Sequence, residues 1–377
     1  MKFLHLSDLH LGKRLCEYSL IDDQRAILNQ IIGVVEEEKP NAVIIAGDVY
    51  DKSMPSAEAV NLFDEFLVNL TNLNVSIFVI SGNHDSPERI AFGSRIMSNK
   101  GVYLSPVYDG NVTPITLTDE FGSVNFYMLP FVKPTNVRRF YEAENIETYT
   151  DAVRVAVEKM NVNNSERNVL ITHQFVTGSV RCESEETVGG TDNVDAEVFS
   201  GFDYVALGHL HTAQICGSEK IRYSGTPLKY SFSEVNDIKN AVIIELKDKN
   251  SLIKVTYKPL KPLRDLNELR GYFADLTSLS FVKSCAVKND YLRITLLDED
   301  DIPDAVVRLR EYYKNIMVLR YDNTRTRKNG EIITENNVEN KSTLELFAEF
   351  FKMQNNAEMN STQLDYINSF IESIKEK

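Results

Sequence analysis

The chain is 377 residues long, 43% hydrophobic and 25% charged, with a formal net charge of −14 at pH 7. That is the composition of an ordinary soluble globular protein with room for two domains, and its acidity argues against a free-standing nucleic-acid binder, which carries a basic footprint. No apolar run approaches the roughly 18–20 residues that span a bilayer, Lys2, His5 and Asp8 interrupt any signal peptide, and Cys16, Cys182, Cys216 and Cys285 lack CxxC spacing, so a cytoplasmic protein with neither disulfide frame nor zinc knuckle is expected.

Short β-branched runs alternate with helical patterns from the start: Phe3–Leu6, Ile21–Glu38, Ala42–Ala46, Ser56–Leu70, Val75–Ile80 and Pro87–Asn99 predict βαβαβα. Ser86 before Pro87 reads as a helix N-cap, and Gly101 as the stop. From Val112 to Leu129 and from Tyr204 to Leu260 strands follow one another, Val124–Leu129 and Ala241–Leu246 most clearly. A four-layer α/β/β/α sandwich satisfies both halves. After Pro262 the pattern predicts a small α+β domain, with a helix over Asp265–Leu276, a strand over Tyr291–Leu297, a helix over Asp304–Lys314 and a strand over Ile316–Tyr321. Residues 322–341 are polar and read as a linker. Ser342–Met353 and Thr362–Lys375 have helical apolar spacing and read as an arm for a partner. The expected domains are therefore 1–260, 261–321, the linker 322–341 and the arm 342–377.

Five of the six histidines lie in short segments that follow predicted strands: Asp8-Leu9-His10, Gly82-Asn83-His84-Asp85, Thr172-His173 and Gly208-His209-Leu210-His211, with Gly47-Asp48 as a further such segment. His5, on an apolar strand, reads as a packed core residue. In an α/β sheet ligands gather at the carboxyl ends of strands, so these segments converge on one rim. Asp8, His10, Asp48, Asn83, His173, His209 and His211 offer a mixed oxygen and imidazole set that suits Mn²⁺, Fe²⁺ or Zn²⁺ better than a Mg²⁺ or Ca²⁺ cage. Glycines 47, 82 and 208 permit a tight turn before each ligand. Seven ligands for two ions require a shared carboxylate, and Asp48 is the candidate. Two ions roughly 3.5–4 Å apart activate a shared water and clamp both oxygens of an in-line phosphoryl displacement.

The succession DxH, GDxxD, GNHD, a lone His after a strand, and GHxH resembles the calcineurin-like metallophosphoesterases. Leu9-His10-Leu11-Gly12, Gly47-Asp48-Val49-Tyr50-Asp51, Ser81 to Ser86, Tyr204 to His211 and the later Tyr223-Ser224-Gly225-Thr226-Pro227 are similar to the SbcD family of nuclease subunits. The resemblance implies that Asp8, His10, Asp48 and His211 hold one metal and Asp48, Asn83, His173 and His209 the other. It implies that His84 serves the leaving 3′ oxygen, with Asp85 orienting its ring. It further implies two Mn²⁺ (other divalent ions remain possible), 3′ to 5′ exonuclease action on duplex DNA, endonuclease action on single strands and hairpins, and a coiled-coil ATPase partner, SbcC. Two nuclease subunits would pair near Ser56–Leu70 and Pro87–Asn99. The arm would meet the ATPase, and no membrane is involved.

Two other readings compete: a phosphodiesterase or phosphatase of small phosphoesters, since the site itself does not choose among esters, and a non-catalytic scaffold. The chain beyond residue 260 counts against the first. His84 beside a complete ligand set counts against the second. Asp51 either orients a ligand or caps a turn. Arg308 to Lys328, with seven bases and two acids, and Arg14, Arg89, Arg138 and Arg139 are candidates for phosphate contact or for a solvated surface.

Overall fold

Runs such as Ala42–Ala46, apolar on both faces, need cover on both faces of the sheet they enter. The computed structural model describes residues 1–180, 192–249, 251–324, 326–327, 344, 347–348, 351 and 358–375. It divides into two compact units, Met1–Asn267 and Glu268–Lys377.

The first unit opens with β1 (Lys2–Leu6), α1 (Ile21–Glu38), β2 (Ala42–Ala46), α2 (Ala57–Asn72), β3 (Ser76–Ile80) and β4 (Val102–Leu104). There follow β5 (Ile115–Asp119), β6 (Gly122–Leu129), α3 (Tyr149–Lys159), β7 (Arg167–His173), β8 (Tyr204–Gly208), β9 (Gln214–Cys216), β10 (Ser218–Tyr223), β11 (Asn240–Glu245) and β12 (Lys254–Pro259). One sheet has the order β12-β11-β1-β2-β3-β4 and the other β9-β10-β8-β7-β6-β5. Strands β1 to β4 are parallel, as are β6, β7, β8 and β10, so the ends of β1, β2 and β3, and those of β7 and β8, can each meet on one edge.

Phe3, Ile44, Phe78 and Ile80 from the first sheet pack against Phe126, Ile171, Tyr204 and Ala206 from the second. The Phe78 and Phe126 rings stack with centroids 4.5 Å apart. On the far side of the second sheet, Ala152, Val153 and Ala156 of α3 meet Tyr127, Leu170 and Leu207. Helix α3 starts with a reciprocal cap: Asp151 N–H donates to Thr148 Oγ1 at 3.1 Å, and Thr148 N–H to Asp151 Oδ2 at 3.0 Å. In α1 and α2, Ile27, Ile31, Leu62, Phe66 and Leu70 are buried, and the two helices pack together beside β3. The expected four-layer α/β/β/α order is present.

The second unit is built on a three-stranded sheet of β13 (Leu266–Gly271), β14 (Tyr291–Leu296) and β15 (Ile316–Tyr321), with β14 central. Its core holds Phe273, Leu276, Ile294, Leu309 and Tyr313. Ala305–Arg310 forms α4 and Ser361–Lys375 forms α5.

Three sequence expectations change. The helix over Asp265–Leu276 is a strand to Gly271 and helical only at Phe273–Leu276. Leu266 and Leu269 recur at a helical interval, but pairing beside β14 sets the backbone instead. The helix over Pro87–Asn99 is broken into Pro87–Ile90 and Ser94–Met97, because Gly93 between them is left-handed at φ 75°. The first unit runs past Leu260: Lys261 N–H donates to Gln30 Oε1 at 3.0 Å, and Arg264 pairs with Asp23 at 2.9 Å, which ties this segment to α1. Most of the linker 322–341 and of the helix expected at 342–353 lies outside the described residues, as does Cys182.

Candidate metal centre

The loops after β1, β2, β3, β7 and β8 bring Asp8, His10, Asp48, Asn83, His84, His173, His209 and His211 together. Asp8, His10, Asp48 and His209 have positive φ, at 54°, 44°, 48° and 105°, a region that side chains larger than glycine rarely adopt. The strain is held by backbone bonds between loops. Asp8 N–H donates to the Gly47 carbonyl and His10 N–H to the Asp48 carbonyl, each at 3.0 Å. Of the three glycines expected to turn the chain, only Gly47 is left-handed, at φ 88°. Gly82 and Gly208 are there for closeness: a Cβ on Gly208 would lie 1.9 Å from the Ala46 oxygen, and one on Gly82 would lie 2.2 Å from Asp48 Oδ1.

Asp8, His10, Asp48, His173 and His211 are all at most 4% exposed. Their ligand atoms fall into overlapping groups within 4.8 Å: Asp8, His10 and His211; Asp8, Asp48 and His173; and His10, Asp48 and His84. His173 Nε2 lies 3.3 Å from Asp48 Oδ2 and 2.9 Å from Asn83 Oδ1, and His209 Nδ1 is 3.0 Å from the same Asn83 oxygen. His10 Nε2 is 3.8 Å from Asp48 Oδ2. Asn83 and His84 are exposed and His209 is half-buried, so a closed floor of carboxylates and imidazoles has an open rim.

Carbonyl and carboxylate partners fix which ring nitrogens are free. His173 Nδ1–H donates to the Ala46 carbonyl at 2.8 Å, which turns Nε2 toward Asp48. His211 Nδ1 meets Glu234 Oε1 at 3.3 Å. Glu234, 1% exposed, also accepts from Lys239 Nζ at 2.6 Å and from Tyr230 N–H at 3.2 Å. Burial raises the Glu234 carboxyl, yet His211 and Lys239 overcome this and hold it near 2. Gln24 Nε2 donates to the His10 carbonyl at 2.7 Å and to Tyr230 Oη at 3.0 Å, while Tyr230 donates its hydroxyl to the Leu9 carbonyl. Neither Glu234 nor Gln24 was visible as a site residue in the sequence, since single polar residues on a helix and a loop have no spacing signature.

Electrostatics describe a place built for positive charge. Burial, with the neighbouring Asp48 charge, pushes the Asp8 carboxyl up to about 6, against the pull of His173. Asp48 is also pushed up by burial, but His173 and its hydrogen bond bring it well below the usual carboxylate range. His173 is raised to about 9 because Asp48 outweighs burial. His10 is lowered by burial, and neither of its ring nitrogens has a hydrogen-bond partner. Buried imidazole nitrogens without partners beside buried carboxylates are costly unless a cation joins them, so the donor set fits divalent metal.

His84 and Asp85 do not pair as expected. His84 Nδ1–H donates to the Asp51 carbonyl at 3.0 Å, so Asp51 orients the ring. The Asp51 side chain meets Lys13 Nζ at 2.7 Å and lies 3.9 Å from His10 Nδ1. Asp85 accepts from Val49, Tyr50 and Gly82 N–H at 3.1, 3.0 and 2.9 Å and so locks the loops that carry Asp48 and Asn83. His84 N–H donates to Asp48 Oδ1 at 2.8 Å. His5 is a core residue: Nε2–H donates to the Leu207 carbonyl at 3.2 Å and Nδ1 accepts from Tyr204 at 2.9 Å. Of the arginines, Arg138 binds the Ile146 carbonyl at 2.9 Å, Arg308 lies over the Phe273 ring at 4.3 Å and Arg327 pairs with Asp322 at 2.7 Å.

Comparison with known proteins gives the family. A family profile described as calcineurin-like phosphoesterase matches residues 1–213, and one described as type 5 capsule protein repressor C-terminal domain matches residues 262–355. The SbcD component of the nuclease SbcCD from Staphylococcus epidermidis is 35% identical over 98% of this chain and 99% of its own length. Among solved structures, a dimetal phosphatase from Danio rerio matches 69% of this chain and 96% of its own at 11% identity, TM-score 0.41. Phosphopantetheinyl hydrolase from Mycobacterium tuberculosis matches 60% and 90% at 14% identity, TM-score 0.33. On the first profile and the Staphylococcus epidermidis nuclease component, the chain belongs to the calcineurin-like phosphoesterases, metal-dependent hydrolases of phosphoesters, and within them to the SbcD family.

Proposed function

We propose that the chain is a two-metal DNA nuclease: a 3′ to 5′ exonuclease on duplex DNA and an endonuclease on single strands and hairpins, working in DNA repair and recombination with the ATPase SbcC. The observation that carries this is the nest of buried Asp8, His10, Asp48, His173 and His211 with ligand atoms within 4.8 Å in overlapping groups, Asp8, His10 and Asp48 each in two of them. Asp8, His10, Asp48 and His211 hold one ion, and Asp48, Asn83, His173 and His209 the other. The mixture of carboxylate, amide oxygen and imidazole suits Mn²⁺, Fe²⁺ or Zn²⁺, and the likeness to the SbcD family favours Mn²⁺ among them. Two such ions supply a lowered pKa for water and charge stabilisation at phosphorus.

The remaining steps belong to protein groups. With Nδ1–H given to the Asp51 carbonyl, His84 turns Nε2 to the leaving 3′ oxygen, to donate a proton to it or stabilise its charge. Asp85 acts through the backbone, holding the loops of Asp48 and Asn83 in register. Residues 1–267 act as the nuclease domain, 268–321 as a cap and 342–377 as the arm that binds SbcC, in the cytoplasm. No helix among the described residues is long and apolar enough to cross a membrane. Two copies of the chain pair through α2 and the segment 87–97, whose Val60, Val68, Phe92 and Ile96 are 42%, 49%, 83% and 78% exposed.

The test is cleavage of circular single-stranded DNA beside a small chromogenic phosphodiester, with Mn²⁺ or Mg²⁺, by wild type and His84→Ala. Mn²⁺-dependent DNA cutting that falls by roughly 100-fold or more in the variant supports the reading. Turnover of the small ester with DNA left intact, even with SbcC and ATP present, overturns it in favour of a small-ester phosphodiesterase.

A further inference from the structure

Between the loop of Asn83 and the segment leaving β6 lies a pocket of about 270 Å³. Asn83 forms part of its lining, so the cavity adjoins the candidate metal centre. Val107, Pro130 and Phe131 give it an apolar wall, and Lys133 and Arg139 also line it. The wall is fixed in place. Phe131 N–H donates to the Ser81 carbonyl at 3.0 Å, and its ring lies edge-on to the His173 ring at a centroid distance of 6.3 Å. Arg139 is held by Nη2 donation to the Tyr108 carbonyl at 3.0 Å.

Lys133 and Arg139 have no carboxylate partner among the described residues. In a stretch where residues 1–260 hold 35 acids against 24 bases, cations without a carboxylate partner in the pocket that adjoins the centre, Arg139 lying over the Phe140 ring at 4.6 Å, are where phosphate charge is met. An aromatic ring and an apolar wall next to unpaired cations is the arrangement that receives a single-stranded nucleotide, base on ring and phosphate on cation.

We infer that this pocket is a nucleotide subsite: the base adjoining the scissile phosphodiester lies against Phe131, and the next phosphate along the strand meets Lys133 and Arg139. The inference rests on the nuclease reading and adds to it a reason for choosing a nucleic-acid strand over a small ester.

Calorimetric titration of the Mn²⁺-loaded full chain carrying His84→Ala, so that the diester is not cut, with inorganic phosphate, deoxyadenosine 5′-monophosphate and the 5′-phosphorylated deoxyadenosine dinucleotide tests it. The mononucleotide is expected to bind roughly tenfold tighter than phosphate, the gain typical of one base on one aromatic ring, and Phe131→Leu is expected to remove most of that ratio. The dinucleotide should bind tighter again, and the paired change Lys133→Ala, Arg139→Ala should remove that second step. Ratios of Kd within one variant are insensitive to a general loss of folded or metal-loaded protein. A mononucleotide no better than phosphate in the His84→Ala background, or a ratio unchanged when Phe131→Leu is added to it, overturns the subsite. Failure of the nuclease reading shows separately, as uncut DNA in the cleavage assay, because these ratios need no turnover.

Discussion

His84 and Asp85 are neighbours in the chain with different tasks, one exposed at the rim and oriented by a carbonyl, the other buried and bonded to three backbone N–H groups. His84→Ala therefore leaves metal content intact while catalysis falls by roughly 100-fold or more, a split read by metal analysis and turnover together. Asp85→Asn acts on the loops instead, and should lower metal content and thermal stability along with activity. Glu234 acts on His211 through its ring nitrogen, and Glu234→Gln should weaken metal affinity by roughly 10- to 100-fold, measured by titration with Mn²⁺. His5 carries a pH signature of its own. Burial holds its imidazole down at about 3, against an ordinary 6.5. Between those values the unfolded chain takes a proton that the folded chain refuses, so its contribution is complete above about pH 6.5 and shrinks as pH falls. Relative to His5→Asn, wild type should lose about 2 kcal/mol of stability between pH 7.5 and 5. Denaturant titrations of both at each pH check this, and a difference that does not change with pH would contradict it.

Among the elements, loops at strand ends do the positioning, and a glycine at a strand end answers to a different constraint from one inside a helix. Gly208 comes so close to β2 that a methyl group would meet the Ala46 oxygen at 1.9 Å. Gly208→Ala should therefore cost about 3 kcal/mol or more. Gly33 in α1 is exposed, and a Cβ there meets nothing within 4 Å, so Gly33→Ala should stabilise by about 1 kcal/mol. Thermal unfolding of the pair tests whether close approach or helix propensity decides at each position. The first-unit strands were legible because apolar runs such as Ala42–Ala46 and Val124–Leu129 have one interpretation, and the residues now gathered at the centre were legible because each follows such a run. Leu266–Gly271 was not, because its leucines fit a helix as well as a strand and only the neighbouring strand decides. The left-handed backbone of Asp8, His10 and Asp48 was not legible either. Their side chains are poor markers of positive φ, and the conformation is imposed by bonds to another loop.

At the scale of the whole molecule, the acidic surface and the nuclease reading are reconciled by where charge is spent. Asp8 and Asp48 are buried at the candidate centre, where bound metal would neutralise them, and Lys133 and Arg139 line the pocket that adjoins it. Exposed Phe92 and Ile96 sit in the region proposed for pairing of two copies, so Phe92→Glu with Ile96→Glu should give a monomer by analytical ultracentrifugation where wild type gives a dimer. Removal of residues 342–377 should abolish binding to SbcC while Mn²⁺-dependent cleavage persists; loss of both would place the arm in the core. If two ions share Asp48, the metal content of the chain must depend on that carboxylate. After Mn²⁺ loading and desalting, wild type and His84→Ala should each retain two ions per chain, and Asp48→Asn one or none. A wild-type chain that retains a single ion, or an Asp48→Asn chain that keeps two, would contradict the two-metal centre.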